Sequence, residues 1–99
     1  MGSRKVTVRK KAAENIATIA WYIESKGLIN TAEKFTDDVY DYFLKLADTK
    51  RSYSNCREPG RAGLGYKCVT FRKKYTIVFI ETGKEIIISE FLPSKLIYW

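Results

Sequence analysis

The chain has 99 residues, enough for one domain around a single hydrophobic core, and its 45% hydrophobic and 14% aromatic content argues against disorder. It contains no histidine, which excludes Ser-His and Cys-His catalytic pairs and removes the commonest ligand of transition metals. We therefore predict no metal site and no cofactor. No apolar run approaches the roughly 20 residues of a membrane span, and no signal peptide begins at Met1, so a cytoplasmic protein with no membrane partner is expected.

The net charge of +7 is distributed unevenly along the sequence. Residues 50–80 carry eight Lys and Arg against Glu58 alone, whereas residues 12–49 carry seven acids and three bases. This division predicts a polarised surface whose basic part faces a polyanionic partner or an acidic protein segment.

The first half of the chain is predicted to form a strand followed by two helices. Residues 1–3 have the composition of an expression scar and are given no function, so the predicted domain spans 4–99. Residues 4–9 alternate as in a half-buried strand, and Gly27 ends the first helix. Asn30 is predicted to cap the second helix, with Glu33 completing a capping box. The apolar faces of the two helices comprise Ile16, Ile19, Ala20 and Ile23, then Ala32, Phe35, Val39, Tyr42, Phe43 and Leu46.

The second half is predicted to be a loop followed by three strands. Residues 48–65 lose periodicity and are rich in Ser, Gly and Pro, which indicates a surface loop. Strands are predicted at 66–71, 75–81 and 84–92, the last covered on both faces because of its isoleucine run. The order β-α-α-β-β-β predicts an α+β fold, in which the N-terminal strand and a three-stranded antiparallel run form one twisted sheet against a helical hairpin.

The two cysteines, Cys56 and Cys68, have no metal-binding spacing. A cysteine within a strand, as Cys68 is, most often serves as a small core residue. Whether the two pair in a disulfide is left open, since nothing favours such a bond in the cytosol.

The stretch Gly65-Tyr-Lys-Cys-Val-Thr-Phe-Arg-Lys-Lys-Tyr-Thr-Ile-Val-Phe79, with a last strand closing in Leu92-Pro-Ser-Lys95, resembles the RelE/ParE superfamily of bacterial type II toxins, the plasmid stabilisation proteins. The resemblance covers nearly the whole chain. It implies a toxin that a cognate antitoxin protein neutralises. RelE-like members cut mRNA on the ribosome, whereas ParE-like members poison DNA gyrase.

The resemblance also implies candidate catalytic residues. RelE-type enzymes stabilise phosphate charge with Lys and Arg side chains and a tyrosine near the C-terminus, in place of a histidine pair. Lys67 matches a basic strand residue of that site, and Lys95 lies near the place of the arginine after the last strand. The full candidate set is Lys67, Arg72, Lys95 and Tyr98.

Two positions depart from the RelE pattern. Thr76 stands where RelE-type enzymes have an important arginine, and Val69 stands where a second strand lysine is expected. Threonine cannot replace a bidentate phosphate clamp. The departures favour a ParE-like inhibitor of DNA gyrase or a degenerate member. The alternatives are a ribosome-dependent mRNA endonuclease of RelE type and a non-toxic basic nucleic-acid-binding module.

A second group of basic residues is predicted to contact nucleic acid or the target. These residues lie in the loop and in the turn between the first two strands of the second half: Arg57, Arg61, Lys73 and Lys74. Clustered Lys and Arg neutralise phosphates and release counterions. The alternative is that they are solvated charges that aid solubility.

Overall fold

The computed structural model describes residues 4–48, 53–56 and 59–96. Its elements follow the predicted order, with one added short helix. They are β1 (Lys5–Val8), α1 (Lys10–Ser25), α2 (Ile29–Leu46), α3 (Pro59–Gly63), β2 (Lys67–Phe71), β3 (Tyr75–Glu81), β4 (Glu85–Pro93) and a 3-10 turn (Ser94–Leu96).

The helical hairpin forms as the apolar pattern predicts, except at the start of α2. Gly27 follows α1 with a φ of 82°, a left-handed conformation that glycine adopts without steric cost. Because Gly27 reverses the chain within one residue, α2 begins directly after it. The carbonyl of Leu28 accepts the first helical hydrogen bond, from the Ala32 amide. The predicted Asn30 cap is therefore wrong: Leu28 occupies the capping position without a side-chain hydrogen bond, and Asn30 lies inside the first turn.

The four strands form one mixed sheet in the order β1-β4-β3-β2. β2, β3 and β4 are antiparallel neighbours, as predicted, while β1 pairs with β4 in parallel. The register between β3 and β4 shifts after Val78, so that Val78 pairs with Glu90 while Phe79 pairs with Ile88. Ser89 is thus the extra residue of a β-bulge.

The bulge has a direct consequence for the core. Ile88 and Phe91 are three residues apart, so a regular strand would place them on opposite faces. With Ser89 inserted, both are fully buried against α1 and α2 in the main core. The buried residues of that core are Ala12, Ile16, Phe35, Val39, Phe43, Leu46, Ala47, Phe71, Ile77, Phe79, Ile86, Ile88 and Phe91.

The opposite face of the sheet is covered only in part. Ile86 is buried on the helix side, whereas its neighbour Ile87, on the opposite face, remains half-buried. The prediction that this strand is covered on both faces is therefore wrong at Ile87. The segment before β2 covers part of this face. There it forms a second, smaller apolar cluster with the sheet, which comprises Cys56, Cys68 and Val78, with Tyr66 and Leu92 packed against them.

That segment was predicted to be an irregular surface loop, and the structure corrects this. It contains α3, and an isolated antiparallel bridge joins Asn55 to Lys67. Cys56 and Cys68 form a disulfide and are both buried, so Cys68 is not simply a small core residue. The open question of their pairing is thereby answered: a covalent link fastens the segment to β2.

Over the part of the chain that the structure describes, none of the helices has the length and apolar character needed to cross a membrane.

Candidate functional site

The turn between β2 and β3 holds two cations in a backbone conformation that such residues rarely adopt. Arg72 and Lys73 have φ values of 55° and 61°, and the Lys74 amide donates to the Phe71 carbonyl over 3.3 Å. Two consecutive positive φ values define a type I′ turn, whose usual residues are Asn and Gly. A side chain in this region costs about 1–2 kcal/mol per residue. Turn stability alone therefore does not explain the Arg-Lys sequence.

The three cations of this turn differ in what they contact. The Arg72 guanidinium forms an ion pair with Asp38 of α2, and it lies over the Phe71 ring at 5.0 Å from the centroid. The Asp38 carboxylate also forms an ion pair with the Lys34 ammonium over 3.6 Å. Lys73 and Lys74 are exposed, and within the described ranges neither forms an ion pair or a side-chain hydrogen bond. Arg72 is thus paired with a carboxylate of α2, while the two lysines are available to a partner.

The 3-10 turn after β4 brings Lys95 beside these lysines. Tyr75 pairs with Pro93 across the sheet, and the Ser94 amide donates to the Lys74 carbonyl over 2.8 Å. The two chain segments enclose an open cleft of about 470 Å³. We call it the lysine cleft, and its lining residues are Lys73, Lys74, Tyr75, Pro93, Ser94 and Lys95. No carboxylate is among them, so the lining is cationic.

A second, smaller cleft of about 280 Å³ adjoins the first. We call it the apolar cleft, and it is lined by Ile23, Thr31, Phe35, Arg72, Lys74 and Tyr75. Lys74 and Tyr75 belong to both clefts. The Tyr75 ring is stacked on Phe91, with centroids 5.2 Å apart and planes at 24°. Tyr75, which both clefts share, is therefore packed against the main core.

Lys67 lies away from this site. It begins β2, whereas Arg72 follows its end, and five residues at about 3.3 Å each separate the two by roughly 16 Å along the strand. The Lys67 ammonium donates to the Asn55 side-chain oxygen over 2.9 Å. The structure therefore brings Lys95 to Lys73 and Lys74, but it does not bring Lys67 to them.

Arg61 is engaged inside the protein. Its guanidinium donates two hydrogen bonds to the Glu90 carboxylate, over 3.2 and 3.1 Å, and both side chains are largely buried. This bidentate pair fastens α3 to β4. Arg57 and Tyr98, the two remaining predicted site residues, lie outside the described residues.

Thr76, at the position of the RelE-type arginine, belongs to the protein interior. Its side chain is fully buried, and its hydroxyl lies 3.0 Å from that of Ser94 in a hydrogen bond. Val69, the other departure, is packed against the main core. Among the described residues, no group of three or more His, Cys, Asp and Glu side chains could hold a metal ion.

Comparison with known proteins identifies the family. A sequence model described as "ParE toxin of type II toxin-antitoxin system, parDE" matches residues 6–98. The chain belongs to the ParE toxin family. A search of curated protein sequences found no match. Among solved structures, the chain is similar to one titled "Chromosomal ParDE TA system from P. aeruginosa", with a TM-score of 0.74 and 19% identity over 92% of this chain and 96% of that one. At this identity the likeness shows the shared fold.

This family membership makes the protein the toxin component of a type II toxin–antitoxin module and implies an antitoxin partner. It confirms the RelE/ParE resemblance predicted from the β2–β3 sequence. The candidate site residues stay predictions.

Three residues of the ParE-family toxin's lysine cleft, Tyr75, Pro93 and Ser94, were not among the sequence-based candidates. Tyr75 falls at the start of the predicted strand 75–81, and Pro93 and Ser94 follow the end of the predicted strand 84–92. The signal for all three was the hairpin register, because Pro93 ends β4 directly opposite Tyr75 and places Ser94 beside the turn. That register depends on the bulge at Ser89, which the sequence pattern did not reveal.

Proposed function

We propose that this ParE-family toxin inhibits DNA gyrase by binding to it, without chemistry of its own. The observation that carries the proposal is Thr76. A RelE-type nuclease needs an arginine at this strand position to clamp phosphate, and here a fully buried hydroxyl is hydrogen-bonded to Ser94 instead.

The distribution of cations supports the same proposal. A RelE-type nuclease site, as the resemblance implies it, would bring Lys67, Arg72 and Lys95 together on one phosphate. Lys67 is bonded to Asn55 at the far end of β2, and Arg72 is paired with Asp38. The lysines that remain available, Lys73, Lys74 and Lys95, lie around an open cleft in the manner of a binding surface.

The experiment compares two activities of the purified toxin. In a supercoiling assay with DNA gyrase and relaxed plasmid, we expect inhibition that the cognate antitoxin reverses. In a ribosome-dependent mRNA cleavage assay, we expect no cleavage. Cleavage of mRNA with gyrase unaffected would overturn the proposal in favour of a RelE-type enzyme, and activity in neither assay would overturn it in favour of a degenerate toxin.

A pair of charge-reversal variants connects the activity to the site. Lys73→Glu changes the β2–β3 turn, and Lys84→Glu makes the same change in the β3–β4 turn, at the opposite end of the sheet. Both lysines are exposed. We expect Lys73→Glu to weaken gyrase inhibition and Lys84→Glu to leave it near the wild-type level. Equal effects of the two variants would show that the lysine cleft is not the binding surface.

A further inference from the structure

We propose that the lysine cleft binds the phosphodiester backbone of a DNA strand and that the toxin thereby binds the DNA in its complex with gyrase. The choice of DNA over RNA and the involvement of gyrase depend on the function proposed above, whereas the binding of a single-stranded phosphodiester backbone by the cleft is independent of it. The proposal combines the charge of the cleft, the conformation of its turn and the character of the adjoining apolar cleft.

The charge of the lysine cleft is not balanced within the described residues. Lys73, Lys74 and Lys95 line it together with Ser94, and none of the three ammonium groups has a carboxylate partner in residues 4–48, 53–56 and 59–96. Two carboxylates, one on α2 and one on β4, are engaged by other cations. Asp38 pairs with Arg72 and Lys34, while Glu90 pairs with Arg61 and Lys11. Ammonium groups held close together without counterions favour a polyanion.

The available donors of the lysine cleft can bind phosphate. Lysine binds phosphate as a compact point charge with three rotatable donors, whereas the fork of an arginine binds phosphate or carboxylate through two parallel hydrogen bonds. The arginine of this turn, Arg72, is already paired with Asp38 and lies on Phe71. The side chains that remain available around the cleft are the lysines. Lys73 is held there in the left-handed conformation that turn stability disfavours.

The apolar cleft extends the site from phosphate to nucleobase. It shares Lys74 and Tyr75 with the lysine cleft, and Ile23 and Phe35 line its other side. A single strand can place a phosphate among the lysines and an unstacked base in the adjoining apolar cleft, against the half-buried Tyr75 side chain. An acidic protein segment would need an aromatic side chain at the right spacing from its carboxylates, whereas every nucleotide of a single strand carries a flat base beside its phosphate. The occupant that we propose is therefore a single strand of DNA.

The test measures binding of a fluorescein-labelled single-stranded DNA 12-mer to the toxin by anisotropy at several salt concentrations. Three lysine–phosphate contacts predict that log K falls with log salt with a slope of about −2, at roughly −0.7 per contact. The double variant Lys73→Gln, Lys95→Gln loses two of the three contacts, so the slope should become less negative by about 1.4. The control Lys45→Gln, Lys84→Gln removes two exposed lysines elsewhere and should keep the wild-type slope.

Duplex DNA of the same length and a polyglutamate peptide serve as competitors. We expect single-stranded DNA to bind more tightly than either. The proposal is overturned if the double variant keeps the wild-type slope, if duplex DNA binds as tightly as the single strand, or if polyglutamate does. The last result would identify the cleft as a site for an acidic protein segment.

The same variants in the supercoiling assay separate the two proposals. If the toxin inhibits gyrase but binds no DNA through the cleft, the DNA proposal fails and the proposed function stands. If it binds DNA through the cleft but leaves gyrase unaffected, the proposed function fails and the DNA site stands. The expected result is that the double variant loses DNA binding and gyrase inhibition together, while the control variant retains both.

Discussion

Replacing Lys73 by glycine is expected to make the toxin more stable while weakening its function. Lys73 has a φ of 61°, a left-handed conformation that costs a side chain about 1–2 kcal/mol. Glycine removes this cost but adds about 0.5–1 kcal/mol through the greater freedom of its unfolded chain. The Lys73 side chain has no ion pair with a described residue to lose. The net gain is about 0–1.5 kcal/mol with a midpoint of about 0.75 kcal/mol, and for a domain of this size that midpoint raises Tm by about 3–6 °C.

The matched control is Lys84→Gly in the turn between β3 and β4. This variant removes the same charge from an exposed turn, but Lys84 does not have a positive φ. Only the cost of chain freedom applies, so stability should fall by about 0.5–1 kcal/mol. Thermal unfolding followed by circular dichroism measures both variants. The reasoning is refuted if Lys73→Gly melts at or below the Tm of Lys84→Gly.

Three further predictions concern the segment before β2 and the interior of the sheet. Replacing Cys56 and Cys68 by serine should lower the free energy of unfolding by about 3 kcal/mol, because the disulfide closes a loop with a sequence separation of 12; an unchanged urea midpoint would contradict this. Arg61→Gln should cost about 1–3 kcal/mol by leaving Glu90 without its bidentate donor. A double-mutant cycle with Glu90→Gln measures the coupling, and zero coupling would count against the pair. Thr76→Arg should cost at least about 3 kcal/mol, since the charge would be fully buried, and a wild-type Tm in this variant would contradict the interior placement.

The hydrophobic pattern was sufficient to predict the four strands and the two long helices. The apolar residues of α1 and α2 recur at helical spacing, and those predicted faces supply Ile16, Phe35 and Phe43 to the core. The strands β2, β3 and β4 end within two residues of the predicted positions. These predictions succeeded because burial of one helix face or one strand face imposes a local period on the sequence.

The cover of the open sheet face could not be predicted in the same way. Residues 59–63 form a helix despite two glycines and a proline, and the segment containing them is held by Cys56–Cys68 and Arg61–Glu90. Each of these links joins residues that are 12 or more apart in the sequence. The local composition indicates only that the segment is not a regular strand or a long helix.

The sequence by itself determined the family, the order of the elements and the presence of a basic turn at the β2–β3 hairpin. These properties follow from residue types and their spacing along the chain. Only the tertiary structure decided which cations lie together. The bulge at Ser89 and the register of Tyr75 with Pro93 place Lys95 beside Lys73 and Lys74, while Lys67 remains at the far end of β2. The physical reason is that strand register is set by burial of side chains across the whole sheet.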